Sequence, residues 1–451
     1  MNRLCWILLT ALCLFGCEAA PSHTNRPNII VIIGDDHGYP YFGFMGDEIV
    51  STPHLDRLAS EGTLFSRAYT SASKCRDSLL TLLTGLHPEQ WYAKIKILAE
   101  QTDTKRKLFE EILDFETIPR ILVRNGYVAF QGGKYWEGTY DRAGFSHGTK
   151  YRVDAAAIEK FGPVAAKAGA DGLSLGRETL APLWDFLDEF KHKKPFYIWF
   201  APMLPHKPHN APANFLALYN NRGLSKTAVA YYANISRFDD VVGQLMEYLE
   251  ANDLREDTLL IYIADNGWEQ GPRMDTGNNG GTHGKDSIYD LGFRTPLIFS
   301  WPGVIDQGLV YNDLVAEVDV FPTVLDFLGL QAPEGRMGVS LYAKLTRQDT
   351  FGRSDVVGGV RMVRRAQVVR NNGSVFDWSK PETAYFVRDQ DWRFIWRKTS
   401  KRVELYEIEK DPGETNDRAA QHPDLVEKYK ARIDDWVQEC HRLVQAPEAS
   451  H

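Results

Sequence analysis

Two acidic pairs, each placed just after a short apolar run, are the first residues in this chain whose types could do chemistry. Asp35 and Asp36 close the run NIIVIIG, and Asp265 and Asn266 close LLIYIA. Three carboxylates and an amide are hard oxygen donors, suited to Ca²⁺ or Mg²⁺ and not to zinc. Singly, each pair has a plainer explanation, since Asp-Asp can cap a turn and Asp-Asn-Gly is a common turn sequence. Their joint placement after two core-like strands makes them a candidate metal site. Lys134 follows YVAFQGG and His206 follows FYIWFAPMLP in the same manner, although a lone lysine is ordinarily a solvated one and a lone histidine a loop residue. Cys75 lies in SASKCRDSLLTLLTG, a polar stretch ahead of an apolar run ending in Thr-Gly, where a nucleophile shown at the start of a helix would lie. A buried structural thiol is the ordinary alternative for an isolated cysteine.

Bringing these residues together requires strands that end at a common edge, because ligands in an open α/β sheet gather beyond the carboxyl ends of its strands. RPNIIVIIGDDHG reads as a buried parallel strand opening into a loop. Further strand-like runs are Tyr127 to Gln131, Phe196 to Phe200, Leu259 to Ala264 and Leu297 to Trp301, with helical patterns between several of them, notably Ala228 to Glu250. Thr52 and Pro53 read as the cap and first residue of another helix. The alternation predicts an α/β fold with helices on both faces of the sheet. From about Asp355 the pattern changes to shorter, more polar strands (AYFVRDQ, WRFIWRK, VELYEIE) and a last amphipathic helix, Asp424 to Leu443. This predicts a smaller C-terminal α+β subdomain, with 26–354 as the main domain and 355–451 as the appended one. Neither an internal repeat nor a low-complexity tract interrupts the pattern.

The chain has 451 residues, enough to bury a large core. A net charge of −8 and the lack of a long basic run argue against a nucleic-acid partner. At the N-terminus, MNRLCWILLTALCLFGC has one arginine, an apolar stretch too short to span a bilayer as a mature helix, and a small residue before Cys17. Residues 1–17 therefore read as an export signal. Leu14-Phe15-Gly16-Cys17 resembles a bacterial lipobox, which makes Cys17 a lipid anchor and the protein a periplasmic or membrane-anchored lipoprotein; ordinary cleavage near Cys17 is the alternative. Of five cysteines, Cys5 and Cys13 leave with the signal, and a lipidated Cys17 leaves only Cys75 and Cys440. No disulfide framework is expected from so few thiols.

With these residues in order, the chain resembles a type I sulfatase of the alkaline-phosphatase superfamily from about Arg26 to Leu443. The resemblance is carried by RPNIIVIIGDDHG, TPHLDRLASEGTLFSRAY, CRDSLLTLLTG, NGYVAFQGGKYW, APMLPHKPH, DTLLIYIADNG, GKDSIYDLGFRTPLIFSWPG, DVFPTVLDFLGL and ELYEIEKDPGETND. It implies a large, mixed, mostly parallel sheet. It also implies a divalent cation, usually calcium, at the positions of Asp35, Asp36, Asp265 and Asn266, with Cys75 as a further ligand. In the family a cysteine at the position of Cys75 is oxidised by a formylglycine-generating enzyme, and the hydrated aldehyde carries two geminal hydroxyls. One hydroxyl attacks sulfur, and deprotonation of the other expels sulfate and restores the aldehyde. Lys134, Lys285 and His206 match the sulfate-contacting and proton-donating positions. A sulfated small molecule or glycan is the substrate this implies.

Two departures stand out. The usual maturation signal has proline (occasionally alanine) two residues after the cysteine and arginine four after, whereas this chain has Asp77 and Leu79. Arg76, directly beside Cys75, could supply the lost cation, although a neighbouring residue generally points elsewhere. Trp136 occupies a position where the family often has histidine, and it could stack on a sugar or belong to the core. Three functions therefore stand open: a sulfatase acting on a sulfated carbohydrate, a phosphodiesterase or phosphonate hydrolase of the same superfamily, and a non-catalytic protein that binds anionic glycans.

Overall fold

The protein is seen in a computed structural model that describes residues 26–102, 111–150, 169–268, 283–348, 352–361 and 383–445, with a few isolated positions between them. The export signal and Cys17 lie outside the described residues. The main sheet is built from β1 (Asn28–Gly34), β2 (Thr63–Tyr69), β3 (Val128–Gly133), β4 (His147–Gly148), β5 (Phe196–Ala201), β6 (Thr258–Ala264), β7 (Arg294–Ser300) and β8 (Leu309–Ala316). Their spatial order is β4-β3-β5-β1-β6-β7-β2-β8.

All neighbours are parallel except β7, which runs antiparallel to both β6 and β2. That reversal matters for the site. The start of β7 lies at the edge where the other strands finish, as the pairing of Arg294 with Tyr69 shows. A segment entering β7 therefore meets the loops that leave β1, β3, β5 and β6.

The central strands are apolar at nearly every position because both faces are covered. Alternate residues of β1 face opposite ways. Ile29, Val31 and Ile33 pack in one core with Leu79, Leu80, Leu82 and Leu83 of helix α2 (Cys75–Thr84). Ile30 and Ile32 pack in the other with Phe238, Val242, Leu245 and Leu249 of the long helix Lys226–Ala251. The expected strands and long helix are present, with ends shifted by at most three residues. Helix α1 (Pro53–Ser60) begins where expected, with Pro53 in its first turn, but Thr52 does not cap it through its side chain. The Asp239 carboxylate does so instead, accepting from His54 N at 3.1 Å and Leu55 N at 2.8 Å.

After the main sheet, an antiparallel sheet of four strands is formed by Val356–Arg361, Thr383–Arg388, Trp392–Arg397 and Arg402–Glu407. The C-terminal helix Pro423–Leu443 covers one face through Val426, Tyr429, Ile433, Trp436 and Cys440. The other face packs on Tyr69, Phe293, Leu314 and Val318 of the main body. Among the described residues, no helix is long and apolar enough to cross a membrane.

Candidate active site

Strands β3, β5, β1 and β6 are adjacent, and each delivers a polar residue just past its carboxyl end. Asp35 and Asp36 leave β1, with Asp35 N donating to Leu204 O at 2.9 Å and Asp265 N donating to Gly34 O at 2.9 Å. Asp36 has φ 61°, a left-handed conformation that aspartate tolerates better than most residues. This turn lets consecutive carboxylates reach one cluster. Ligand atoms of Asp35, Asp36, Cys75 and Asp265 all lie within 4.8 Å of one another. Asp36 N also donates to Asp265 Oδ1 at 3.0 Å, and Asn266 Nδ2 to Asp36 Oδ1 at 2.7 Å.

The lysines enter from opposite sides. Lys134 follows Gly133, whose φ is 92° and where a Cβ would lie 2.2 Å from Ala201 O, so only glycine brings the chain this close to β5. Its ammonium is buried and bonds Asp35 Oδ1 and, at 3.1 Å, Asp265 Oδ2. Lys285 precedes β7 and donates to Asp36 Oδ1 at 2.5 Å and to Cys75 Sγ at 3.1 Å. Half-buried Cys75 is the first residue of α2, whose cap residue Lys74 makes no side-chain bond to it. A helix N-terminus at this point favours an anion beside Cys75. His206, beyond β5, places Nε2 3.6 Å from Asp36 Oδ2, while Nδ1 donates to Lys207 O at 2.6 Å.

The electrostatics are those of a site built around added positive charge. Burial, reinforced by the neighbouring carboxylates, pushes Asp35 up and Asp265 up to about 6. Burial also opposes ionisation of Asp36, yet Lys285 and His206 hold it below its ordinary value. Lys134 and Lys285 are raised by the carboxylates against the effect of burial. Burial and then Asp265 push the Cys75 thiol well up, and burial lowers His206 to about 4. Two buried oxygens, Asp35 Oδ2 and Asn266 Oδ1, have no hydrogen-bond partner. Orphaned oxygens of this kind, beside three carboxylates and two ammonium groups, fit a hard divalent cation. Such an ion changes the local balance from one net negative to one net positive charge, the sign that an anionic ester needs.

The altered positions after Cys75 are absorbed into the fold. Leu79 is buried in the main core, and the Asp77 carboxyl lies in the interior with Tyr92 OH 3.4 Å away. Arg76 does not replace the missing arginine: Nε and Nη2 bind the buried Glu137 carboxylate at 2.7 and 2.9 Å. Trp136 packs against the core and also lies 5.3 Å, centroid to Nζ, from Lys134, so it serves both as packing and as a wall of the site. A residue with no sequence signal, Glu317, anchors the approach to Cys75 by accepting from Ser71 N at 2.8 Å and from Ser78 Oγ.

This fold and this cluster at its strand ends define an α/β class with a candidate metal site, and comparison with known proteins makes the family specific. The sulfatase family profile matches residues 27–330. Human N-acetylgalactosamine-6-sulfatase is 28% identical over 352 residues, covering 71% of this chain and 65% of that enzyme, so the chain spans under two thirds of its length. An ulvan-active sulfatase from Formosa agariphila is 26% identical over 458 residues, covering 93% of this chain and 82% of the relative. Among solved structures, Ps i-CgsB in complex with k-i-k-neocarrahexaose superposes with a TM-score of 0.71 at 22% identity, covering 92% of this chain and 93% of that one. The chain belongs to the sulfatase family, and the human and Formosa agariphila relatives are sulfatases.

Proposed function

We propose that this protein is an exported sulfatase that hydrolyses a sulfate ester of a carbohydrate, with Cys75 as the precursor of formylglycine. The observation that carries the reading is the meeting of Asp35, Asp36, Cys75 and Asp265 with two lysines at the strand ends of a sulfatase-family chain. A thiol that burial keeps protonated is a weak nucleophile, which is why the reading needs conversion of Cys75. Asp35, Asp36, Asp265 and Asn266 would hold calcium, or magnesium as the lesser fit, with the group derived from Cys75 facing the same ion. When bound, the cation offsets the charge of the ester and favours a deprotonated nucleophile beside it. Lys134 and Lys285 stabilise negative charge gathering on the transferring group, and His206 protonates the leaving alcohol oxygen. The glycan relatives support a sulfated sugar as substrate. Residues 1–17 direct export and Cys17 carries the lipid anchor.

The test pairs the mass of the peptide containing Cys75 with sulfate release from sulfated monosaccharides, run beside phosphodiester and phosphonate esters. Conversion of Cys75 with sulfate release supports the reading. Turnover confined to the phosphorus esters replaces it with the phosphonate hydrolase alternative, and full activity with an unmodified thiol removes formylglycine from it. Ligand binding to sulfated sugars without any turnover leaves the non-catalytic glycan-binding function.

A further inference from the structure

We infer that Arg177 is a positioning residue that sets the ring orientation of His206. This rests on the reading of His206 as the proton donor. Arg177 lies in the loop between β4 and β5 and is 7% exposed. Every acceptor of its guanidinium belongs to residues 203–210, the segment that carries His206. Nε and Nη2 donate to Met203 O at 3.1 and 2.6 Å, Nη2 also to His206 O, and Nη1 to Pro208 O at 3.0 Å and Asn210 Oδ1 at 2.7 Å.

None of those acceptors is a carboxylate. A buried guanidinium kept for stability alone is expected to meet an anion, because desolvating an unpaired charge is costly. Arg177 instead spends its planar fork on neutral oxygens of one segment. Burial and the nearby Arg237 lower it to about 10, as that arrangement entails. Arg237 Nη2 donates in turn to Arg177 O, fixing the backbone from which the fork projects.

The segment has reason to need this support. Pro205 and Pro208 have no backbone N–H, so residues 203–210 are poor in donors of their own. Leu204 O accepts from Asp35 N, tying the same segment to the acidic cluster. Because Lys207 O is a pure acceptor, His206 Nδ1 bears a proton toward it, so when the ring is doubly protonated the Nε2 proton is the one that faces the cluster and can pass to the leaving oxygen. Clamping the carbonyls of residues 206 and 208 holds the backbone that defines this choice. Nothing in the sequence marks Arg177, since its partners are backbone oxygens and the Asn210 amide oxygen, all distant in the chain.

Kinetics on two ester classes, with Arg177→Ala and Arg177→Lys in the matured full chain, test this. Turnover of 4-nitrophenyl sulfate should stay within about threefold, whereas that of a sugar sulfate should fall roughly tenfold or more, part of the contribution a general acid makes. Arg177→Lys keeps the charge without the fork and should show the same selectivity with a smaller loss. Joining Arg177→Ala to His206→Ala should be no slower on the sugar sulfate than His206→Ala alone. Equal losses on both esters by folded variants, or multiplied losses in the double variant, would overturn the inference while leaving His206 as the acid. If His206→Ala itself fails to discriminate the esters, the acid role falls, and Arg177 is judged on the imidazole ¹⁵N signals of His206, assigned by their loss in His206→Gln. An Nδ1–H pattern that shifts or exchanges in Arg177→Lys supports positioning, and an unchanged pattern refutes it.

Discussion

Three carboxylates gathered in one buried cluster repel one another, and the chain answers with two lysines that still leave a negative excess. From this follows the first expectation: protein purified without chelator should contain about one hard divalent ion per chain, and Asp265→Asn should release it. Zinc at this stoichiometry would refute the assignment. The lysines are expected to act on turnover, because each touches the carboxylates where the ester must sit. Lys134→Ala or Lys285→Ala should lower kcat/KM by roughly a hundredfold or more, with circular dichroism unchanged. A loss below about tenfold would place that lysine outside the transition state by the same scale. At this scale the sequence was legible wherever a side chain follows a strand: Asp35, Asp36, Lys134, His206, Asp265 and Asn266 were found this way, and Lys285 through family resemblance. Arg177, Glu137 and Glu317 were not legible. Their partners are backbone oxygens or residues distant in the chain, and no spacing encodes such contacts.

Helix α2 displays Cys75, and its first turn is held by a buried carboxyl from the segment after β8 rather than by a cap of its own. Burial raises Glu317 from its ordinary 4.5 to about 8. The folded protein therefore binds this proton more tightly than the unfolded chain, so stability is greatest below about pH 4.5 as far as this group is concerned and declines as pH rises toward 8. Glu317→Gln can accept from Ser71 N and donate to Ser78 Oγ without ionising. Its melting temperature relative to wild type should rise between pH 5 and pH 9, a window chosen around the shift to about 8. A constant difference across that range would show that Glu317 is ionised throughout. The same helix separates maturation from stability. Asp77→Pro with Leu79→Arg should raise conversion of Cys75 by the usual maturation enzyme, yet the introduced guanidinium would enter a space now filled by a core leucine. The double variant should therefore melt lower while showing more formylglycine by mass spectrometry. The apolar runs of β1, β3, β5 and β6 were legible because strands covered on both faces are continuously hydrophobic. Strands β2, β8 and Val356–Arg361 were not identified: β8 is exposed or half-buried over its first five residues, so neither a buried run nor strict alternation marks it. The reversed direction of β7 depends on pairing with β6 and β2, which no local pattern records.

On the scale of the whole molecule, the C-terminal sheet reaches the site through the segment that carries Lys285. Residues on both sides of that lysine are held from the sheet and its following loop. His283 stacks on Tyr289 at 3.7 Å, and Tyr289 OH donates to Glu404 Oε2 at 2.9 Å. Fully buried Arg393 donates to Ile288 O at 2.7 Å and to Asp290 Oδ1 at 3.3 Å, and it pairs with Glu414 Oε1 at 3.2 Å. Glu414 in turn accepts from Asp290 N at 2.8 Å. One guanidinium thus sits between two carboxyls with the Phe386 ring 4.0 Å away, a setting in which removing the cation leaves buried acids without a compensating charge. Arg393→Met keeps much of the apolar volume and should cost about 3–5 kcal/mol, the range for breaking a buried pair from one side. Arg432→Ala is the matched control, because Arg432 binds Asp355 in a two-point pair at 2.7 and 2.8 Å but its side chain is 40% exposed. That loss should stay within about 1 kcal/mol. Urea denaturation gives both values, and sulfate release from Arg393→Met below its unfolding transition reports on Lys285. If the two variants lose equal stability, or Arg393→Met turns over normally, the sheet is an appendage and not a brace for the site.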